Sequence, residues 1–319
     1  MSSSQSSDRG ASLRSVSEPP AVVLIVFNRP ETVARMLERL AVLRPPRLFV
    51  VGDGPRSDRP LDGARVAAVR SQIDRIRWDC DVATDYADEN LGCRRRVVTG
   101  LNWVFRHVED AIILEDDCLP TASFMGYARE LLDRYRDDTQ IGSVCGSLSV
   151  PRIPAVDGDY FFSRYNLFTG WATWRRAWRL YDDAMSAVED GRLHDILAAT
   201  FEQARARIYW EYILRRTHAD AINSWGYRWM LSCWQNSMLG VFPRCTIVEN
   251  VGFGGDATNT RRQAWYFQQA IGSLSLPLKH PQGVARRADI DRLVENARYS
   301  KNVAGRLRWA WEAIRGVAK

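Results

Sequence analysis

No apolar run in this chain of 319 residues approaches the roughly 18 that a membrane-spanning helix needs. The first segment, residues 1–20, is rich in serine with scattered charge and has no apolar core, which predicts a disordered tail rather than a secretory signal. Six cysteines (Cys80, Cys93, Cys118, Cys145, Cys233 and Cys245) show no CxxC pairing, and the four histidines supply no matching ligand spacing. Neither a zinc site nor a disulfide framework is therefore expected; reduced thiols in a cytoplasmic protein are. No repeat is present. The net charge of +6 is modest for this length. It fits anionic substrates or a membrane surface and gives no footprint for nucleic acid.

What is present is a globular composition, 46% hydrophobic and 26% charged, with length for one large domain or a domain with an elaborated second half. Residues 21–27 (AVVLIVF) form a continuous apolar run, as a strand buried on both faces requires. A polar turn, Asn28-Arg29-Pro30, opens a helix striped by Val33, Met36, Leu37 and Leu40. Residues 48–51 predict a second strand, ending at Gly52-Asp53-Gly54, and a helix striped by Val66, Val69, Ile73 and Ile76 follows. Residues 81–86 predict a weak strand, and Val97, Leu101, Val104 and Phe105 stripe a third helix. Residues 111–114 and 141–145 predict further strands, separated by a helix striped by Phe124, Ala128, Leu131 and Tyr135. Alternation of this kind means right-handed crossovers and an α/β fold with a mostly parallel sheet.

The second half is less regular. Residues 151–159 predict a loop, 193–217 and 225–238 predict helices, and 252–260 (GFGGDATNT) a Gly-rich loop suited to covering a ligand. From about residue 289 to the end a basic amphipathic helix is expected, either packed on the domain or lying on an anionic membrane. Twelve tryptophans, nearly all after residue 100, can pack a core or line a sugar site.

The most informative stretch is Ala111-Ile112-Ile113-Leu114-Glu115-Asp116-Asp117-Cys118-Leu119-Pro120. Three carboxylates stand where a buried strand ends, and crowding them there is costly unless a cation or water neutralises them. A hard divalent ion, Mg²⁺ or Mn²⁺, prefers such oxygen ligands and also grips a diphosphate. At the carboxyl end of a parallel strand this pattern reads as a metal–nucleotide site. Asn90-Leu91-Gly92 followed by Arg94, Arg95 and Arg96 adds a helix start with guanidinium groups suited to phosphate oxygens, although only one or two of the three can face one site.

Taken in chain order, strand–NRP–helix, strand–GDG, ENLGCRRR, the strand ending in EDDCLP, SWGYRW and GFGGDAT resemble sugar-nucleotide glycosyltransferases of the GT-A fold. The likeness is to bacterial family-two-like proteins and, around the EDD motif, to N-acetylglucosaminyltransferase I. It spans residues 21 to 260. It implies a nucleotide-sugar-binding Rossmann-like half over residues 21–150, an acceptor-side half over 151–275 and a basic extension over 276–319. By position it implies that Asp117 ligates Mn²⁺ or Mg²⁺, that Glu115 and Asp116 support the ribose and ordered waters, that Asn28 and Arg29 form the nucleotide-entry turn, and that Asp53 reads a uracil edge. Arg94 is expected at the donor phosphates, and Gly170–Trp174 on the acceptor side. The implied partners are a nucleotide-diphospho-sugar and a glycan or lipid-linked acceptor.

One departure bears on mechanism. Where the relatives carry an acidic residue after the tryptophan of SWGYRW, this chain has Gly226, which cannot act as a base. Asn259 stands where a histidine is usual. Asp256 is the replacement base expected here, with Glu249 and Asp220 behind it. A nucleotidyltransferase and a non-catalytic nucleotide-sugar-binding module remain the alternatives. The first is disfavoured because no Gly-rich phosphate loop with a lysine follows the first strand.

Overall fold

The computed structural model describes residues 19–252 and 269–299. The first half of the chain lays down four strands, β1 (Ala21–Val26), β2 (Arg47–Gly52), β3 (Asp81–Tyr86) and β4 (Asp110–Glu115), joined by α1 (Pro30–Leu43), α2 (Asp62–Ile73) and α3 (Gly92–Val104). They pair in the order β3-β2-β1-β4, all parallel, with Val23 between Phe49 and Ile113 in register. The unbroken apolar run of β1 has a direct cause. Val22, Leu24 and Val26 pack on the face covered by α1 and α4 (Ala122–Arg134), while Ala21 and Val23 pack on the face covered by α3. Each of these valines and the leucine contributes about 1.5–3 kcal/mol of burial.

The remaining elements extend this sheet. β5 (Cys118–Pro120) precedes α4, and β6 (Ile141–Cys145), β7 (Tyr160–Ser163) and β8 (Trp171–Trp174) follow it. Short helices α5 (Arg175–Trp178) and α6 (Ser186–Glu189) lead to α7 (Leu193–Thr200), α8 (Ala204–His218) and α9 (Trp225–Gln235). Then come β9 (Leu239–Pro243), β10 (Val248–Asn250) and α10 (Ala288–Val294). The complete sheet reads β3-β2-β1-β4-β8-β6-β9-β7, and β10 pairs with β5 as a separate ribbon. The expected α/β class is what the structure shows. The parallel character is complete from β3 to β4; beyond it β8 runs antiparallel to both neighbours and β7 antiparallel to β9.

Two sequence expectations change. The helix expected over 193–217 is two helices, because Phe201 is extended (φ −120°, ψ 122°) and buries its ring beside Trp210 and Trp234. The helix expected over 225–238 stops at Gln235, where Ser237 turns at φ 53° and feeds β9. The tryptophans go mainly to the core: Trp171, Trp174, Trp210 and Trp229 are fully buried. The start of the C-terminal extension packs on the domain through α10, whose fully buried Asp291 accepts from Ser163 Oγ at 2.5 Å and Arg164 Nε at 3.2 Å. Residues 300–319 lie outside the described residues. Among those described, no helix is long and apolar enough to cross a membrane.

Candidate functional site

Parallel strands β1, β2 and β4 end on one edge of the sheet, where ligands bind in open α/β folds. A cavity of about 520 Å³ sits at that edge. Its walls come from the turn after β1 (Phe27, Arg29), the loop after β2 (Asp53, Arg56) and the start of α3 (Asn90, Gly92, Cys93, Arg96). The tip of β4 (Glu115, Asp116, Asp117), the segment Leu167–Phe168–Thr169, and Asn223, Asn250 and Gly252 complete it.

The backbone of the acidic tip is held by bonds that do not use its side chains. Asp116 N–H donates to the Ile25 carbonyl at 3.0 Å, and the Asp117 carbonyl accepts from Val251 N–H at 2.9 Å. The β5–β10 ribbon, with Asn250 opposite Cys118, brings Gly252 onto Asp117. A Cβ on Gly252 would lie 1.9 Å from Asp117 Oδ2, so only glycine lets the chain pass there. Asp116 is 2% exposed, and neither of its carboxylate oxygens has a hydrogen-bond donor. The charge beside it is Arg29, whose Nη2 lies 2.8 Å from Asp116 Oδ1 and whose Nη1 donates to Asp117 Oδ2 at 3.2 Å. Burial pushes the Asp116 carboxyl up to about 7 against the opposing pull of Arg29. Glu115 is raised as well, first by burial and then by repulsion from Asp117 and Asp116. Burial also pushes the Cys93 thiol to about 12, so it is an inert wall group.

These residues fit a hard divalent ion of one kind. Among the described residues no group of three His, Cys, Asp or Glu side chains is arranged to hold a metal, so a closed protein cage is not formed. An ion carried by a diphosphate needs only one or two carboxylates and keeps waters in its other positions. Asp117 in the wall, with the unsatisfied Asp116 carboxylate beside it, answers that description.

The other expected site residues are spent differently. Asp53 lines the cavity, but its carboxylate accepts from Gly54 N (2.9 Å), Leu91 N (2.8 Å), Asn90 Nδ2 (3.0 Å) and Gly92 N (3.1 Å). Leu91, at the N-cap position of α3, has no side-chain oxygen to offer; Asp53 supplies it from the loop after β2. Asn28 is buried outside the cavity wall and donates to Asp62 Oδ1 at 2.7 Å. Arg94 also lies outside the wall, bonded to Asp220 at 2.6 Å. Arg96 lines it, yet its guanidinium is consumed by the Gly52 carbonyl at 3.1 Å and by the carbonyl and carboxylate of Asp85, each at 2.6 Å.

Asp62, which the sequence did not single out, fixes the entry turn. It accepts from Asn28 and from Arg56 Nε at 2.6 Å, and Arg56 lies over the Phe27 ring, 5.2 Å from its centroid. Hydrogen bonds from Arg56 hold the Asp62 carboxyl at about 2, below the 3.8 of a free aspartate. Because the folded value is the lower one, the stabilisation is complete above pH about 4 and is lost as pH falls toward 2. With Arg56 partly exposed and screened, it amounts to about 1 kcal/mol. Urea unfolding between pH 5 and 2 is expected to show this acid limb in the wild type and a shallower one in Asp62→Asn.

On the acceptor side the structure explains the missing base. Gly226 is buried at the start of α9, and a Cβ there would lie 2.6 Å from the Phe168 ring. Phe168 in turn stacks near Trp225, 4.5 Å between centroids, and forms cavity wall. No acidic side chain fits at 226 without moving that wall. Glu249 is exposed and outside the cavity, since alternation along β10 turns Asn250 into it instead. Asp220 is exposed and shared by Arg94 and Arg228. Asp256 and Asn259 lie outside the described residues. Trp171 and Trp174, expected on the acceptor side, are core residues on opposite faces of β8. The polar residues that sequence reasoning missed are Arg56, Asn90, Thr169, Asn223 and Asn250; of these only Asn90 lay in a noted motif.

Comparison with known protein families gave no match, and comparison with curated proteins gave none either. Among solved structures, a mannosyltransferase from Pyrobaculum calidifontis in complex with GDP-mannose and Mn²⁺ is 14% identical over 67% of this chain and 68% of that one, with a TM-score of 0.36. A UDP-glucose pyrophosphorylase complexed with UDP-glucose is 9% identical over 50% of this chain and 78% of its own, with a TM-score of 0.31. An apo UDP-glucose pyrophosphorylase is 7% identical over 72% and 93%, with a TM-score of 0.35. None of the three is an N-acetylglucosaminyltransferase I, and that finer resemblance has no support in them. Similarity at this level assigns no activity. The functional reading rests on the cavity.

Proposed function

We propose that the cavity binds a nucleotide-diphospho-sugar, a UDP-sugar by the family resemblance, and that the protein transfers the sugar to a hydroxyl of a glycan or lipid-linked acceptor. The observation that carries this reading is the acidic tip of β4: three carboxylates and the Arg29 guanidinium lining one cavity at the carboxyl edge of the sheet. Asp117, with Asp116 and Glu115 beside it, is the group that would hold Mn²⁺ or Mg²⁺ together with the donor diphosphate. When bound, the ion supplies charge neutralisation on the departing nucleoside diphosphate. Arg29 binds and orients the same phosphates through its planar fork. Phe168 and Leu167 exclude water from one wall, and Asn223, Asn250 and Thr169 offer neutral hydrogen bonds to a sugar or acceptor.

One observation favours a second reading, nucleotidyl transfer. The described acceptor side presents no carboxylate to take a proton from a hydroxyl, and a phosphate nucleophile needs none. The products separate the two. Incubation with a panel of UDP- and GDP-sugars and Mn²⁺ is expected to release free nucleoside diphosphate. Nucleoside triphosphate formed from pyrophosphate and the nucleotide sugar would replace the transferase reading with the second. Tight donor binding without any turnover, even to water, would leave a binding module.

A further inference from the structure

Arg29 sits between the two aspartates of the acidic tip. Its two terminal nitrogens divide between Asp116 and Asp117, one planar group bridging both carboxylates. Its side chain makes no other ion pair or hydrogen bond to a described residue, whereas its backbone is fixed independently, with its carbonyl accepting from Val33 N–H at 3.0 Å. The side chain can therefore turn without disturbing β1 or α1. Asp117, Asp116 and Glu115 crowd around this one guanidinium in the cavity wall, and apart from it neither buried Asp116 oxygen has a side-chain donor.

Resting on the donor-site reading above, we infer that Arg29 is the resident counter-ion of the acidic tip and that a divalent cation binds by displacing it from Asp116 and Asp117. Before a donor arrives, the guanidinium keeps the two aspartates from repelling each other. When the ion arrives with a diphosphate, the released fork remains in the cavity wall, where phosphate oxygens are its natural acceptors. Ion and arginine thus compete for the same oxygens.

Calorimetric titration of the nucleotide-free protein with MnCl₂ tests this. Arg29→Gln is expected to bind Mn²⁺ about tenfold more tightly than wild type, equivalent to about 1.4 kcal/mol. Metal-free Arg29→Gln is also expected to melt at a lower temperature than wild type, and Mn²⁺ to raise its melting temperature by the larger increment. Arg29→Lys keeps a positive charge at the tip and so protects the fold, but a point charge cannot bridge both carboxylates as the fork does. Its Mn²⁺ affinity should fall between the other two. Equal or weaker Mn²⁺ binding in both variants overturns the exchange while leaving the donor site standing. A wild-type protein and variants that all bind UDP-sugar but never Mn²⁺ overturn both the exchange and the metal assignment.

Discussion

Replacing Asp117 with asparagine is expected to lower nucleotide-sugar turnover on the order of 10³-fold, while the melting temperature stays close to wild type. The separation of the two effects follows from how the residue is held. Its backbone carbonyl, not its carboxylate, anchors Val251, and asparagine keeps both that bond and the volume against Gly252. The substitution removes the charge of Asp117 that repels the buried Glu115 and Asp116 carboxyls, and this offsets the weakened bond to Arg29. What is lost is the anionic ligand that would fix an ion on the leaving diphosphate. Nucleoside diphosphate release at saturating Mn²⁺ measures the activity, and calorimetry with UDP and Mn²⁺ measures the affinity. Unchanged affinity and unchanged turnover would remove Asp117 from the site.

The parallel half of the fold was legible because its signals are local. β1, β2 and β4 are apolar runs bounded by polar turns, and the stripes of α1, α3 and α4 repeat with helical spacing over at least two turns. The second half carried weaker signals. Its strands β7 to β10 are three to five residues long, and their partners are not sequence neighbours. In β8 the aromatic residues face both layers, so no alternation marks it as a strand. Phe201 breaks a helical pattern because its ring is worth more inside the Trp210–Trp234 cluster than one more helical turn, and that cluster is assembled from distant residues.

The same distinction runs through the site. Position along the chain was enough to place Arg29, Asp53 and the Glu115–Asp117 triplet around one cavity, because each follows a parallel strand and such strands end together. How each side chain spends its hydrogen bonds was not legible, since that depends on partners far away in sequence. Asn28 goes to Asp62, Arg94 to Asp220 and Arg96 to Asp85. Gly226, read only as a missing base, has a positive role: it makes room for Phe168.

Asp53 offers the sharpest test of that allotment. Asp53→Ala is expected to destabilise the ligand-free protein by about 3 kcal/mol, read from urea unfolding at neutral pH. Four donors converge on this carboxylate, three of them backbone N–H groups, and alanine leaves all four without it in a half-buried wall. The first N–H groups of α3 have no other side-chain cap, because Leu91 cannot provide one. Asp53→Asn separates the two roles the residue could have. An amide keeps one oxygen, so it still serves one pair of donors, but its NH₂ then points at the other pair, donor against donor. Its loss of stability should therefore approach that of alanine without any nucleotide present. A carboxylate whose main task was to read a uracil edge would behave in the opposite way: both variants would unfold like wild type, and only the preference for UDP over GDP would disappear. Because every acceptor position of Asp53 is already filled by the protein, the expected outcome is the structural one, with weakened UDP binding following from the loosened start of α3.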